Sequence, residues 1–475
     1  MTASGTSPSP SAEAVEPAGH PRLHRGLRML GTLFITLSAI TPASSVFIIS
    51  PGVIGQAGTG AFWAFAVAGV VGVFMALVYA ELSSAFPLSG GEYAITARAL
   101  GRLPGFVVLG LILVTQLLIV AVIALGVGTY LSVLFPHLNA PVTAAVTTLL
   151  ATVLAVFDIK LNAWVTGIFL AIEMVALIVV SALGLLHPKR SLGDLVAHPV
   201  VAAAGSNPAV TAVGVGTIGA ATAVAIFAYN GYGSAVYFGE ETQDAPRSIA
   251  KTVLWALGIT VFAELIPTTA VLIGAPDLPS LFGADNMMKY FITATSNSKV
   301  NDAISLAVAV AIFNAVLAII LVTARMVFST GRDSAWPAPV SKALAAIHPK
   351  FGSPWIATIF TGVVSAGFCF ADNTFLLVVT STTIIAVYAA LAMSSIAGRR
   401  NGSTAHAAYR MPGWPVAPVL ALAAIAYVVY ENFQDPKVGR PSLWTTIGIA
   451  VVSAAYYLVA LRRRGTWELK GAEDS

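Results

Sequence analysis

Apolar stretches recur along the chain near 28–54, 61–84, 104–134, 140–157, 162–186, 213–239, 250–274, 303–330, 356–371, 374–397, 416–433 and 443–461, separated by short polar connections. A helix needs about 20 apolar residues to cross a hydrocarbon core of roughly 30 Å. The pattern therefore predicts an all-α integral membrane protein with 12 transmembrane helices, most of the chain forming one embedded domain. Two stretches are broken in the middle by residues a membrane helix normally avoids. The first, Leu30 to Ile54, carries Thr41-Pro42-Ala43-Ser44-Ser45; the second, Gly214 to Gly239, carries Phe227-Ala228-Tyr229-Asn230-Gly231-Tyr232-Gly233. Unpaired peptide groups at bilayer depth cost several kcal/mol each, so a non-helical stretch survives there only inside protein or beside a polar cavity. Interrupted spans in corresponding halves of a chain point to the binding site of a secondary transporter.

The residues in the breaks suit a small ligand. An interrupted helix exposes the N–H groups that start its second half, which carry about half a positive charge and attract a carboxylate. Pro42 removes a donor and disfavours helical geometry at Thr41, while Ala43, Ser44 and Ser45 are small enough for a ligand to reach the backbone. In the second break Gly231 and Gly233 permit close approach, Asn230 can bond a polar group, and Phe227, Tyr229 and Tyr232 supply aromatic walls. Taken singly, the first break also reads as a Pro-kinked helix and the second as a small-residue packing face between helices. Their matching positions argue against both.

Composition agrees with this class and narrows the chemistry. The chain is 57% hydrophobic and 10% charged, with a mean hydropathy of +0.85, far from the roughly 25% charge of a soluble protein. With the N-terminus inside, 19 Lys and Arg residues fall on the cytoplasmic side and six (Lys189, Arg190, Lys289, Lys299, Lys437 and Arg440) fall outside. That bias sets orientation, supports an even number of crossings with both termini cytoplasmic, and accounts for the net charge of +4 without a nucleic-acid partner. Residues 1–26 form a polar tail, of which 1–20 are too poor in apolar groups to order themselves; residues 465–475 form a second tail. No short apolar segment with a cleavage site precedes the first span, so no removable signal peptide is expected. The single cysteine, Cys369, excludes an intramolecular disulfide and a cysteine metal cluster. All seven histidines lie in tails, loops or span ends, and phosphate-loop, nucleophile-elbow and zinc-protease motifs are missing. Neither an enzyme, a metal, a cofactor nor ATP hydrolysis is expected.

Four stretches resemble the amino acid-polyamine-organocation superfamily of permeases: Ser38 to Phe47 around the first break; Ala80 to Tyr93, followed by Gly101 and Gly105-Phe106; Phe227 to Gly233 running into Gly239-Glu240-Glu241; and Arg325 to Asp333 with Trp336-Pro337. The resemblance covers about Leu27 to Arg464. It implies inverted repeats of five helices each, about 28–186 and 213–397, with discontinuous helices 1 and 6, peripheral helices at 416–461, and alternating access around a central site. It implies that the first break (Thr41, Ala43, Ser44, Ser45) holds a substrate carboxylate. Backbone near Phe227–Asn230, with Tyr229 and Gly231 beside it, would hold the amino group, and Phe227 would act as the gate. Many members have Gly-Ser-Gly where this chain has Ala43-Ser44-Ser45, which implies a carboxylate pocket that is either tighter or differently used.

Ionisable groups inside spans are costly and usually functional. Glu173 falls mid-span where, by the resemblance, members carry a sodium ligand or a lysine mimicking sodium; it is a candidate proton carrier, or a structural hydrogen-bond partner of nearby backbone. Glu264, three residues before Pro267, can relay protons, meet a cationic substrate, or cap the backbone kinked by the proline. Asn314 needs partners and either lines the cavity or bonds a neighbouring helix. Gln116 and Thr380–Thr383 are weaker candidates. Glu81 and Arg325 sit at span ends and read as a fixed gate network rather than substrate contacts, and Glu240 and Glu241, at the end of the sixth span, face either the cytosol or that network. The expected function is proton-coupled import of an amino acid across a plasma membrane, with protons favoured over sodium. An amine or polyamine permease, favoured if Glu173 or Glu264 points into the cavity, and an obligate exchanger are the alternatives within the fold. A non-transporting amino acid receptor is the alternative from another class. Substrate identity and oligomeric state are not set by sequence.

Overall fold

A computed structural model of the protein describes residues 23, 25–131, 135, 137–203 and 209–470. The expected N-terminal tail and the last five residues of the C-terminal one fall largely outside these. Among the described residues the chain is almost entirely helical, apart from a two-stranded hairpin, Val200–Ala202 with Val210–Ala212. Eight segments are long and apolar enough to cross a membrane, the first of them, Met29–Ala85, holding two of the expected stretches. Ala140–Ala155 and Trp355–Phe368 are shorter apolar helices.

Local chemistry sets the helix ends. Asn139, Asp158, Asn297 and Asp372 precede helices and accept hydrogen bonds from Val142, Lys160, Val300 and Phe375 respectively, satisfying donors that a helix start leaves open. Large apolar side chains such as Trp164, Ile178, Trp255, Phe262, Trp444 and Val452 point outward and are exposed, as a lipid-facing surface requires. Inside, small residues sit where helices come closest. Helices Ile159–Leu185 and Ala245–Gly274 touch at Gly184 and Gly274, where a Cβ on Gly184 would meet the Ala270 carbonyl oxygen at 2.0 Å and one on Gly274 would meet the Gly184 Cα at 2.4 Å. Glu173 and Glu264 lie eleven and ten residues before those glycines, both about 15 Å down the helix at 1.5 Å per residue. Because the two helices run parallel from that contact, the carboxyls arrive side by side at one depth.

A connection that reads as loop from sequence turns inward. After Ala61–Ala85 the chain makes a turn and forms helix Glu92–Leu100, with Glu92 and Tyr93 buried. This end of the molecule is closed by ion pairs. Arg325 grips Glu241 through two bonds of 2.7 and 3.1 Å, Arg332 pairs with Glu240 and Asp333, and Tyr93 donates to Asp333 at 2.9 Å. Glu81 belongs to a separate pair, accepting two 2.6 Å bonds from Arg399. The N-terminal segment joins the closure, Leu27 exchanging backbone bonds with Glu241 and Gln243.

Asp333 lies just past the last span residue, Arg332, and burial pushes its carboxyl up to about 6 despite Arg332, the Tyr93 hydroxyl and the Lys470 N–H. A carboxyl raised on folding holds its proton more tightly in the folded chain. Its contribution to stability is therefore full below roughly pH 4, the ordinary aspartate range, and is lost as pH rises through 6. Thermal midpoints of detergent-solubilised wild type and Asp333→Asn should diverge across that window, the wild type losing ground as pH increases; parallel curves would assign the titration elsewhere.

Candidate substrate-binding site

Both broken stretches are interrupted in the folded chain. Helix Met29–Ile40 stops at Thr41, which adopts left-handed geometry (φ 51°). A single turn, Pro42–Ser44, follows, then the wider π-helical turn Ser45–Ile49 and helix Ser50–Ala57. Pro42 cannot continue the hydrogen-bond ladder and Thr41 cannot stay helical before it, so the sequence breaks the helix locally. Helix Val215–Ala228 ends at Tyr229, Gly231 turns with φ 118°, and the chain resumes as the tight 3-10 helix Tyr232–Phe238.

The two breaks meet. The Ser45 hydroxyl donates to the Ala228 carbonyl at 2.9 Å, and Gly231 packs so closely that a Cβ there would lie 2.9 Å from the Ile40 side chain and 3.1 Å from its Cα. Gly231→Ala should therefore lower stability by about 1–3 kcal/mol, the usual cost of forcing a side chain into such a backbone conformation, and reduce transport with it. A melting curve and an uptake assay on one preparation check this, and unchanged values in both would disprove the packing constraint.

Beside the breaks lies a cavity of about 600 Å³ lined by Thr41, Ser44, Ser45, Phe227, Asn230 and Gly231 among others. Its upper wall, with Ile48, Ile49, Gly126 and Ala140, lies toward the end opposite the ion pairs, and its floor is formed by Tyr79, Glu92 and Tyr237. Phe227 also faces a smaller cavity of about 310 Å³, and Asn230 accepts the Tyr388 hydroxyl at the boundary between the two.

The remaining candidates stand behind the cavity wall. Ala43 is fully buried and its N–H donates to Glu173 Oε1 at 2.7 Å; Thr41 donates to the same oxygen at 3.4 Å and bonds Ser44 at 2.9 Å. Glu173 thus occupies the open N–H of the first break from the rear, leaving Oε2 without a partner. Glu264 neighbours Glu173 and Tyr229 and stands against the Ser45 hydroxyl; no hydrogen bond ties it to the backbone at Pro267, so it does not cap that kink. Tyr229 donates to the Phe65 carbonyl at 3.1 Å. Asn314 donates to Ser38 at 2.8 Å and to the Thr166 carbonyl at 3.2 Å, tying three helices together rather than facing the cavity.

Of the weaker candidates, Gln116 lines the cavity. Thr380 bonds its own helix, Thr382 pairs with Ser442 and Thr446, and Thr383 pairs with Thr115. Sequence reasoning missed Glu92, Tyr79, Tyr237 and Tyr388 as cavity residues. Glu92 sits in Ser89-Gly90-Gly91-Glu92-Tyr93, and the paired glycines before an acidic residue were the available signal.

Neither Glu173 nor Glu264 is among the cavity-lining residues, which removes the feature that would have favoured an amine substrate. The cavity combines hydroxyl and amide side chains of the two breaks with apolar walls. No group of three or more metal-binding side chains occurs among the described residues.

Residues 27–454 match the amino acid permease family. The chain is 25% identical to the branched-chain amino acid permease BcaP of Bacillus subtilis, over 89% of this chain and 92% of that one. It is 23% identical to the methylthioribose transporter of the same organism, over 91% and 93%. It is 27% identical to the mouse large neutral amino acids transporter small subunit 2, over 75% and 67%. The chain, a multi-pass membrane protein and a transporter rather than an enzyme, belongs to the amino acid permease family.

Proposed function

We propose that the chain imports amino acids together with a proton, binding the substrate where its two broken helices meet. The observation that carries this reading is the 2.9 Å bond from Ser45 to the Ala228 carbonyl beside the 600 Å³ cavity. It brings a hydroxyl of one break beside a carbonyl of the other on one cavity wall, which supports a site that meets both ends of a zwitterion. The carboxylate would sit on Ser44, Ser45 and Thr41, and the amino group on carbonyls released near Phe227–Asn230, with Phe227 closing over them. Isoleucine and valine walls (Ile40, Ile112, Ile119, Val122) suit an apolar side-chain stem, in keeping with relatives described as branched-chain amino acid permeases.

The fold we infer has twelve crossings, inverted repeats at about 28–186 and 213–397, and peripheral helices at 416–461. Both termini are on the cytoplasmic face of the plasma membrane. With the ion-paired end cytoplasmic, the cavity opens outward and the inner gate is shut. Glu173 supplies coupling. Ionised, it accepts the Ala43 N–H in a charge-assisted bond; protonated, it holds that N–H more weakly. Its proton occupancy and the position of the first break are thereby linked, since a ligand shifts a conformational equilibrium only through differential interaction with its states. Glu264, adjacent to Glu173 and beside the Ser45 hydroxyl, is the second proton station. Leucine uptake into proteoliposomes, with and without an inward pH gradient and with sodium absent throughout, tests the reading. Acceleration by the gradient is expected; acceleration only by internal leucine would make the chain an exchanger.

A further inference from the structure

The floor of the cavity holds a group that the zwitterion site does not use. Glu92 is the one Asp or Glu among the described lining residues, and no Lys or Arg lines the cavity with it. Its side chain is more than nine-tenths buried. Oε1 accepts the Tyr79 hydroxyl at 3.0 Å, and the Tyr237 hydroxyl stands beside the same carboxyl. Tyr237 and Tyr388 line the same floor, and Tyr79 packs edge-on against Tyr388 and Tyr232, with ring centroids 5.8 and 5.9 Å apart.

The backbone is shaped to admit these rings. Gly91, at φ 59°, leaves room for Tyr237, whose ring a Cβ would meet at 2.5 Å, and Gly233 does the same for Tyr79 at 2.6 Å. Two close approaches that only glycine permits thus bring tyrosines around one carboxyl. A carboxylate set among tyrosines on a cavity wall is the chemistry that recognises an alkylammonium ion: the carboxylate supplies charge, and the tyrosine oxygens and rings supply further electron-rich contacts. A buried ionisable group facing a transport cavity marks a substrate path.

We propose that Glu92, with Tyr79, Tyr237 and Tyr388, forms an ammonium subsite at the cavity floor, so that the permease accepts amino acids whose apolar stem ends in a second ammonium group. The inference rests on the head group being held at the breaks; the stem then runs along the isoleucine and valine walls and its tip meets Glu92. Such a ligand matches both the apolar walls and the acidic floor, whereas a wholly apolar side chain leaves Glu92 without a counter-ion.

Lysine and norleucine, which share a four-carbon stem and differ in the terminal ammonium, separate the two parts of the site. Each is titrated against detergent-solubilised wild type, Glu92→Gln and Tyr79→Phe by thermal shift, and each competes for labelled leucine in proteoliposomes. Wild type is expected to bind lysine; Glu92→Gln should weaken lysine at least tenfold while norleucine stays within twofold, which also shows that the variant is folded. Tyr79→Phe should weaken lysine by a smaller factor. Lysine affinity unchanged in Glu92→Gln overturns the subsite, as does a shift confined to the pH dependence of uptake, which would make Glu92 a proton station. Wild type binding norleucine but not lysine overturns the subsite alone; wild type binding neither overturns the head-group site with it.

Discussion

Leucine uptake by proteoliposomes carrying Ser44→Leu is expected to fall to background, a loss of at least about a hundredfold, or roughly 3 kcal/mol at 1.4 kcal/mol per tenfold change. Ser44 sits on the single turn between Thr41 and the π-helical turn, faces the cavity and is only 3% exposed. A leucine side chain there fills the space beside the exposed backbone, removes a hydroxyl donor and breaks the 2.9 Å contact with Thr41. The helix ends do not depend on that hydroxyl, because Pro42 and the left-handed Thr41 impose the break by themselves. Ser44→Ala separates the causes: it keeps the space and loses only the donor, so its loss should be smaller. Undiminished leucine affinity in Ser44→Leu would place the substrate away from the first break.

The second large effect concerns coupling. Glu173→Gln is expected to transport leucine down its own gradient at a rate near that of wild type yet to lose most of its acceleration by an inward pH gradient. Glutamine keeps the shape and presents a carbonyl oxygen to the Ala43 N–H, which Glu173 now binds at 2.7 Å, so the break stays held. It cannot carry a proton. Leaving that N–H without a partner, as Glu173→Leu would, costs the desolvation of a buried donor, about 1–3 kcal/mol, and should lower the melting temperature as well. The pair of variants distinguishes a proton carrier from a structural bond. If Glu173→Gln keeps full dependence on the gradient, Glu264→Gln is the next measurement, since Glu264 lies beside it and against the Ser45 hydroxyl of the first break.

The two breaks were legible because proline, glycine and consecutive hydroxyl residues have few uses in the centre of an apolar span. Glu173 and Glu264 stood out for the same reason, as charges inside apolar stretches. Their neighbourhood did not. It follows from the Gly184–Gly274 contact, which brings two parallel helices close enough to align residues ninety positions apart. Asn314 shows the opposite limit: a buried amide must find partners, and only the placement of Ser38 and Thr166 decides that these are helices and not a ligand. Glu92 was hidden among residues that read as connection, because a turn's polarity looks the same whether it faces water or folds back into the protein.

Sequence by itself determined that the chain is membrane-embedded, where its helices are interrupted, and which rare polar groups are buried, because hydrophobicity and backbone hydrogen bonding act on neighbouring residues and leave a local trace. The tertiary structure decided which of those groups share a cavity, that Glu173 reaches the first break from behind, and that Glu92 lies at the floor. Those outcomes depend on side-chain packing between helices distant in the chain, and the direction in which a buried side chain points is not recorded in the residues next to it.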